Sequence, residues 1–138
     1  MVRNIQFPLT IYYDASCPLC ASEMHTIKET DFGNKLILVN CSSQTFNEPE
    51  FCPSTKEAMM ERIHAQDAAG NWFKGIDVFA AAYGASGFNR LAKFWGSKTL
   101  RPILSRAYPF IADNRHWLSK TPLPYLLNTV LRLCAPSR

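Results

Sequence analysis

The sequence contains no apolar run that approaches the roughly 18–20 residues of a membrane-spanning helix. Residues 1–6 also lack the apolar core and the cleavage site of a secretory signal peptide. Together these two absences predict a cytoplasmic protein.

Clusters of positive charge are absent as well. The 15 Lys and Arg residues form no run longer than two, and the formal net charge is +4. No motif combines aromatic and basic residues in the way that RNA-binding domains do. We therefore predict no nucleic-acid partner and interpret the basic residues as a solvated surface.

Charged residues are few, at 19% against 47% hydrophobic residues, which is typical of a globular protein rather than a disordered one. A chain of 138 residues is long enough for one domain with a core. Five cysteines in a reducing compartment do not form a disulfide framework. A closely spaced pair of them therefore indicates catalysis or metal binding.

Such a pair is present in the stretch Cys17-Pro18-Leu19-Cys20, directly after the apolar run 9–14. The apolar run predicts a short buried strand, and Pro18 suits the first position of a helix because it has no N–H to lose. A thiol at a helix N-terminus faces unpaired N–H groups and the positive end of the helix dipole, which both favour the reactive thiolate. A CxxC motif alone is also half of many zinc sites.

The elements predicted after this strand follow one order along the chain. They are a helix over 18–30, a strand over 36–40, a polar loop over 42–53, a short helix to 61 opened by a capping box from Ser54 to Glu57, hairpin strands over 62–67 and 72–74, and a helix over 78–85 capped by Asp77. This order, βαβ, α, ββ, α, is that of the thioredoxin-like fold, an α/β fold with a mixed four-stranded sheet.

The sequence pattern of residues 87–138 predicts a C-terminal helical extension. Pro102 fits a first helical turn, Pro109 should kink or break the long helix, and a final apolar helix is expected over 125–133. We expect the extension to pack on the thioredoxin-like core, residues 1–86, as one structural domain. The side chains expected to pack are Leu91, Phe94, Trp95, Ile103, Phe110, Ile111, Trp117 and Leu126.

Three blocks of sequence carry a resemblance to a known family. They are Tyr13-Asp14 before the CPLC stretch, Gly70-x-Trp72-x-x-Gly75-x-Asp77-x-Phe79, and Ala107-Tyr108 followed by Asn114-Arg115. From about residue 9 to 119 the chain resembles the DCC family of thiol-disulfide oxidoreductases, named after an Asp-Cys-Cys motif matched here by Asp14, Cys17 and Cys20. The resemblance implies a thioredoxin-like fold and a redox-active dithiol.

We predict that Cys17 is the nucleophile, because the first thiol of a CxxC at a helix start is the exposed one. Cys20 lies one turn deeper and would resolve the mixed disulfide. The expected substrate is a protein or small molecule that carries a disulfide or thiols, and no cofactor or metal is required. Two interpretations of Asp14 remain open: it accepts the proton of Cys20, or it caps backbone N–H groups near Ser16.

Other residues suggest alternatives to this chemistry. Cys41 and Cys52 would complete a four-thiol zinc site with the CxxC pair, at an unusual spacing; otherwise Cys41 is packed at a strand end and Cys52 is a loop thiol. Stretch 59–63 lacks the cis-proline that thioredoxin-like enzymes place opposite the thiols, which leaves room for a metal.

Cys134 is expected in the core, and Arg115 is available to pair with a carboxylate and tie the extension to the core.

The competing hypothesis is a non-catalytic binding module. In this interpretation the CxxC is structural or holds zinc, and the helical extension docks a partner or a membrane surface. The apolar stretch 125–133 is the feature that supports it.

Overall fold

A computed structural model describes residues 4–49 and 52–135 of the chain. Residues 1–3, residues 50 and 51 of the predicted loop, and residues 136–138 of the predicted extension lie outside the described residues. The elements in chain order are β1 Leu9–Tyr13, α1 Pro18–Glu29, β2 Leu36–Asn40, α2 Lys56–Glu61, β3 His64–Gln66, β4 Trp72–Lys74, α3 Ile76–Ala85, α4 Asn89–Trp95, α5 Arg101–Asp113, α6 Arg115–Leu118 and α7 Leu123–Cys134.

The four strands form one mixed sheet in the order β2-β1-β3-β4. β1 and β2 run parallel, with Leu9 opposite Leu36, and α1 supplies the crossover that parallel strands require. β3 lies antiparallel to both β1 and β4. The predicted α/β architecture, a thioredoxin-like order of elements with a mixed four-stranded sheet, is confirmed.

Alternation of side chains along β1 gives the sheet two different faces. Leu9, Ile11 and Tyr13 point into the main core, which also contains residues of α1 and α3. Tyr12 points to the opposite face and packs in a smaller cluster with Cys41 and Met59. The turn that follows β1 therefore lies at the edge of the main core, where α1 begins.

Both predicted helix caps differ from the structure by one or two positions. Thr55, not Ser54, caps α2 by accepting a hydrogen bond from the Ala58 N–H at 3.2 Å. The Ser54 hydroxyl instead lies 2.9 Å from His64 Nε2 on β3, so the predicted capping box does not form.

At the start of α3 the cap position is Gly75, whose φ of 68° lies in the left-handed region that favours glycine. The predicted cap, Asp77, lies inside the helix and pairs with Arg101 at 2.8 Å. Pro109 lies within α5, which continues to Asp113, so it does not break the helix; the alternative, a kink at Pro109, stays a prediction. The neighbouring Tyr108 anchors the helix there, since its hydroxyl accepts the Ile63 N–H at 2.9 Å.

The helices after residue 87 contact the thioredoxin-like core, in part through the side chains predicted, since Leu91 and Trp95 pack against the main core. Phe88 and Leu131 are buried in the main core, and Thr26 of α1 donates to Asn128 of α7 at 2.8 Å. Six of the eight predicted side chains are at least 40% exposed: Phe94, Ile103, Phe110, Ile111, Trp117 and Leu126. That the extension and the core form one domain stays a prediction.

The error in α5 has a simple geometric origin. Ile103 and Phe110 share one face of this helix, whereas Leu104 and Ala112, on the other face, are the buried residues. Both faces are apolar, so periodicity alone could not select the buried one. Cys134 at the end of α7 is exposed, so its predicted place in the core is wrong.

Candidate active site

Cys17 occupies the N-cap position of α1, and Pro18 is the first helical residue, as predicted. The order of exposure is the reverse of the prediction: Cys17 is 0% exposed, whereas Cys20 is partly exposed. Ser119, which follows α6, contacts Cys17. Its hydroxyl lies 3.5 Å from the Cys17 sulfur and accepts the Leu19 N–H at 3.3 Å.

The two thiols of the CxxC have opposite electrostatic environments. A hydrogen bond from the Cys20 thiol, helped by the Ser119 hydroxyl and the positive charge of Arg115, outweighs burial and lowers the pKa of Cys17 to about 5. The same hydrogen bond raises the pKa of Cys20 far above its ordinary value, and burial and the Cys17 charge add to this effect. These environments favour the thiolate form of Cys17 and the thiol form of Cys20.

Asp14 closes the turn before the helix and connects it to α6. Its Oδ1 accepts the Ser16 N–H at 3.0 Å, which is the capping contact that the sequence offered as one of two alternatives. Its Oδ2 accepts a hydrogen bond from Arg115 at 3.0 Å, and both side chains are largely buried. The predicted tie between Arg115 and a carboxylate is therefore present, and Arg115 also donates to the Glu61 carbonyl at 3.0 Å.

Glu23 is an acidic residue near the thiols that the sequence interpretation missed. It lies three residues after Cys20 on α1, so the two side chains share a helix face. Tyr83 of α3 donates a hydrogen bond to its Oε1. Burial, opposed by this hydrogen bond and reinforced by the Cys17 charge, raises the pKa of Glu23 to about 7. The i, i+3 spacing was visible in the sequence, but the contact with Tyr83, 60 residues away, was not.

A cavity of about 340 Å³ opens beside Cys20 and Glu23. Each of the seven helices in the described part of the chain contributes to its walls, which are mainly apolar. Its lining includes Met24, Met59, Leu91, Trp95, Leu127, Val130 and Leu131. Its volume lies at the lower end of the range that small-molecule sites occupy, roughly 300–1,000 Å³.

Cys41 and Cys52 lie apart from the CxxC pair. Cys41 is buried in the small cluster on the opposite face of the sheet, and burial raises its pKa to about 12. The Cys52 sulfur is 3.7 Å from that of Met59. Within residues 4–49 and 52–135 no three Cys, His, Asp or Glu side chains gather around a possible metal position. The four-thiol zinc alternative is therefore not formed.

Comparison with known proteins gives one family and one distant relative. The family model of DCC1-like thiol-disulfide oxidoreductases matches residues 11–121. An uncharacterized chloroplastic protein of Arabidopsis thaliana is 29% identical over 76 residues, which is 54% of this chain and 36% of that protein. The aligned part thus spans only about a third of the length of that relative. No solved structure matches the chain.

Proposed function

Because the chain belongs to the DCC1-like thiol-disulfide oxidoreductase family, as its sequence resemblance predicted, we propose that Cys17 and Cys20 are a redox-active pair that exchanges disulfides with a substrate. The observation that carries the proposal is the placement of Cys17 at the start of α1, about one helical turn before Cys20 and in contact with the Ser119 hydroxyl. One thiol has its pKa lowered to about 5, and the other holds a proton in a hydrogen bond to it. Such a pair combines a reactive sulfur with a resolving one.

The proposed reaction has two steps. The Cys17 thiolate attacks a substrate disulfide, which forms a mixed disulfide and releases the first substrate sulfur as a thiolate. Cys20 then loses its proton and attacks the Cys17 sulfur, which releases the second substrate sulfur and leaves a Cys17–Cys20 disulfide. With the pair oxidised, exchange in the opposite direction oxidises thiols, and either sulfur of the Cys17–Cys20 bond is then a possible point of attack.

We assign the proton of Cys20 to Glu23 rather than to Asp14. A carboxyl group with a pKa near 7 is suited to exchange protons at neutral pH, and it lies one helical turn from Cys20. Asp14 is engaged with Arg115 and with the backbone of Ser16. In this proposal Asp14 is a positioning residue, because it holds the guanidinium that helps to stabilise the Cys17 thiolate.

Trapping with a Cys20→Ser variant tests the proposed function. Without a resolving thiol the mixed disulfide between Cys17 and oxidised glutathione should accumulate, and mass spectrometry should place the adduct on Cys17. Cys134→Ser, which removes an exposed thiol outside the pair, is the matched control and should oxidise as the unmodified chain does. An adduct confined to Cys41 or Cys52 would refute the assignment of the pair.

A binding module is the second candidate function. Five large side chains of α5, α6 and α7 are more than 60% exposed: Ile103, Phe110, Trp117, Tyr125 and Leu133. No helix within the described part of the chain is both long and apolar enough to cross a membrane. Sedimentation with anionic phospholipid vesicles tests this function, since a Cys17→Ser/Cys20→Ser variant should bind them as well as the unmodified chain does.

A further inference from the structure

The two thiols of the pair differ in how a substrate can reach them. Cys17 is fully buried and contacts Ser119, whereas the partly exposed Cys20 lines the cavity. Among the described residues that line this cavity, Cys20 is the one with a thiol. A molecule inside the cavity therefore meets the Cys20 sulfur first.

The chemistry of the cavity walls favours an apolar molecule. The three charged side chains in its lining are Asp14, Glu23 and Arg115. Asp14 and Arg115 pair with each other, and Glu23 accepts a hydrogen bond from Tyr83. Apart from Arg115 Nε, which has no hydrogen-bond partner among the described residues, these charged groups are paired within the protein. The rest of the wall offers hydrocarbon, aromatic and thioether surface.

Resting on the function proposed above, we infer that the substrate of the pair is a small apolar thiol that binds in this cavity and reacts at the Cys20 sulfur. A disulfide within a folded protein is disfavoured as a substrate, because it would have to displace Ser119 to reach Cys17 or enter a cavity of about 340 Å³ to reach Cys20.

The reaction balances for the oxidised pair and two thiols of formula RSH. The first thiolate attacks Cys20, which forms a Cys20–S–S–R bond, and the Cys17–Cys20 bond breaks with Cys17 as the leaving group. A leaving sulfur of low pKa departs quickly, and Cys17 has that property. A second thiolate attacks the R-bearing sulfur, which forms RSSR and releases Cys20. Of the two protons lost by the thiols, one returns to Cys20 and one passes to solvent, while the protein gains two electrons.

Reduction of the oxidised chain by butanethiol and by 2-mercaptoethanol tests the inference. The rate with each thiol is divided by its rate with free oxidised glutathione, which removes their difference in intrinsic reactivity. We expect a normalised preference of at least about tenfold for butanethiol, since each buried methylene contributes about fourfold. Decanol, which has no thiol and should occupy the same cavity, should suppress the butanethiol reaction.

Two variants on α7 locate the binding site. Val130 lines the cavity although it is 49% exposed, and Val130→Trp should narrow the cavity and abolish the preference. Leu133→Trp changes a more exposed residue outside the lining and should retain it. Equal normalised rates for the two thiols, with both faster than with free oxidised glutathione, would overturn the inference and leave the proposed function standing. If neither thiol reduces the pair faster than free oxidised glutathione, the proposed function fails and the inference fails with it. A preference that persists in Val130→Trp and resists decanol would overturn the cavity as its origin.

Discussion

Two cysteines of this protein, Cys17 and Cys41, are equally buried but chemically opposite. Both are 0% exposed, and both lie just beyond a strand of the same sheet. The pKa of Cys17 falls to about 5, mainly through the hydrogen bond from Cys20, whereas burial raises that of Cys41 to about 12. Cys17 begins a helix and has donors around its sulfur, while Cys41 packs against Tyr12 and Met59. Burial by itself therefore does not decide thiol reactivity; the available hydrogen-bond donors do.

The largest expected effect is the difference in alkylation rate between these two thiols. At pH 7 their thiolate fractions differ by about 10⁵, and the lower intrinsic nucleophilicity of an acidic thiol removes about 10³ of this advantage, so Cys17 should react about a hundredfold faster. Its rate should fall as the pH drops through about 5. Iodoacetamide labelling with peptide mapping across pH 4–9 measures both. Similar rates for Cys17 and Cys41 would show that hydrogen-bond donors do not control the reactivity of these buried thiols.

The next effect concerns the carboxylate that holds Arg115 beside the thiolate. Asp14→Asn leaves a largely buried guanidinium without its charge partner and should lower the free energy of unfolding by about 3 kcal/mol. Asp113→Asn breaks the more exposed pair with Arg62 and should cost less than about 1 kcal/mol. Urea unfolding compares the two variants. A cost for Asp14→Asn no larger than that of its control would show that the pair does not organise the site.

A smaller, pH-dependent effect is expected for Glu23. Its raised pKa means that the folded state favours the neutral carboxyl, so its contribution to stability is complete below pH 4.5 and is lost as the pH rises through about 7. Glu23→Gln should therefore gain stability relative to the unmodified chain between pH 5 and pH 8, by about 1–3 kcal/mol. Urea unfolding at both pH values measures this gain. Glu29→Gln, at an exposed position of the same helix, should show no such gain.

The smallest effect is expected from the hydroxyl that contacts Cys17. Ser119→Ala removes one hydrogen bond to the thiolate and should raise the pKa of Cys17 by less than about one unit, which corresponds to 1.4 kcal/mol. The ultraviolet absorbance of the thiolate, followed against pH, measures the shift. Ser105→Ala, on an exposed position of α5, is the control. An unchanged pKa would mean that Cys20 and Arg115 suffice to stabilise the charge.

The elements around the thiols could be predicted from sequence because their signals are local. The apolar runs and the proline after Cys17 predicted the bounds of β1, α1 and β2 to within one residue. The site itself depends on contacts that span much of the chain. Ser119 lies 102 residues from Cys17, and Asp14 and Arg115 are separated by 101. No sequence periodicity relates positions that are so far apart. The order of exposure within the CxxC pair and the cavity beside it could therefore be determined only from the three-dimensional structure.

The proposed redox pair is Cys17 and Cys20 rather than Cys41 and Cys52. Equilibration of the full chain in glutathione buffers of graded potential, followed by acid quenching, alkylation and peptide mapping, tests this assignment. We expect a loss of two hydrogens that maps to Cys17–Cys20 and reverses on reduction, while Cys41 and Cys52 remain thiols. A disulfide between Cys41 and Cys52, or a dimer linked through Cys134 with the CxxC still reduced, would contradict it.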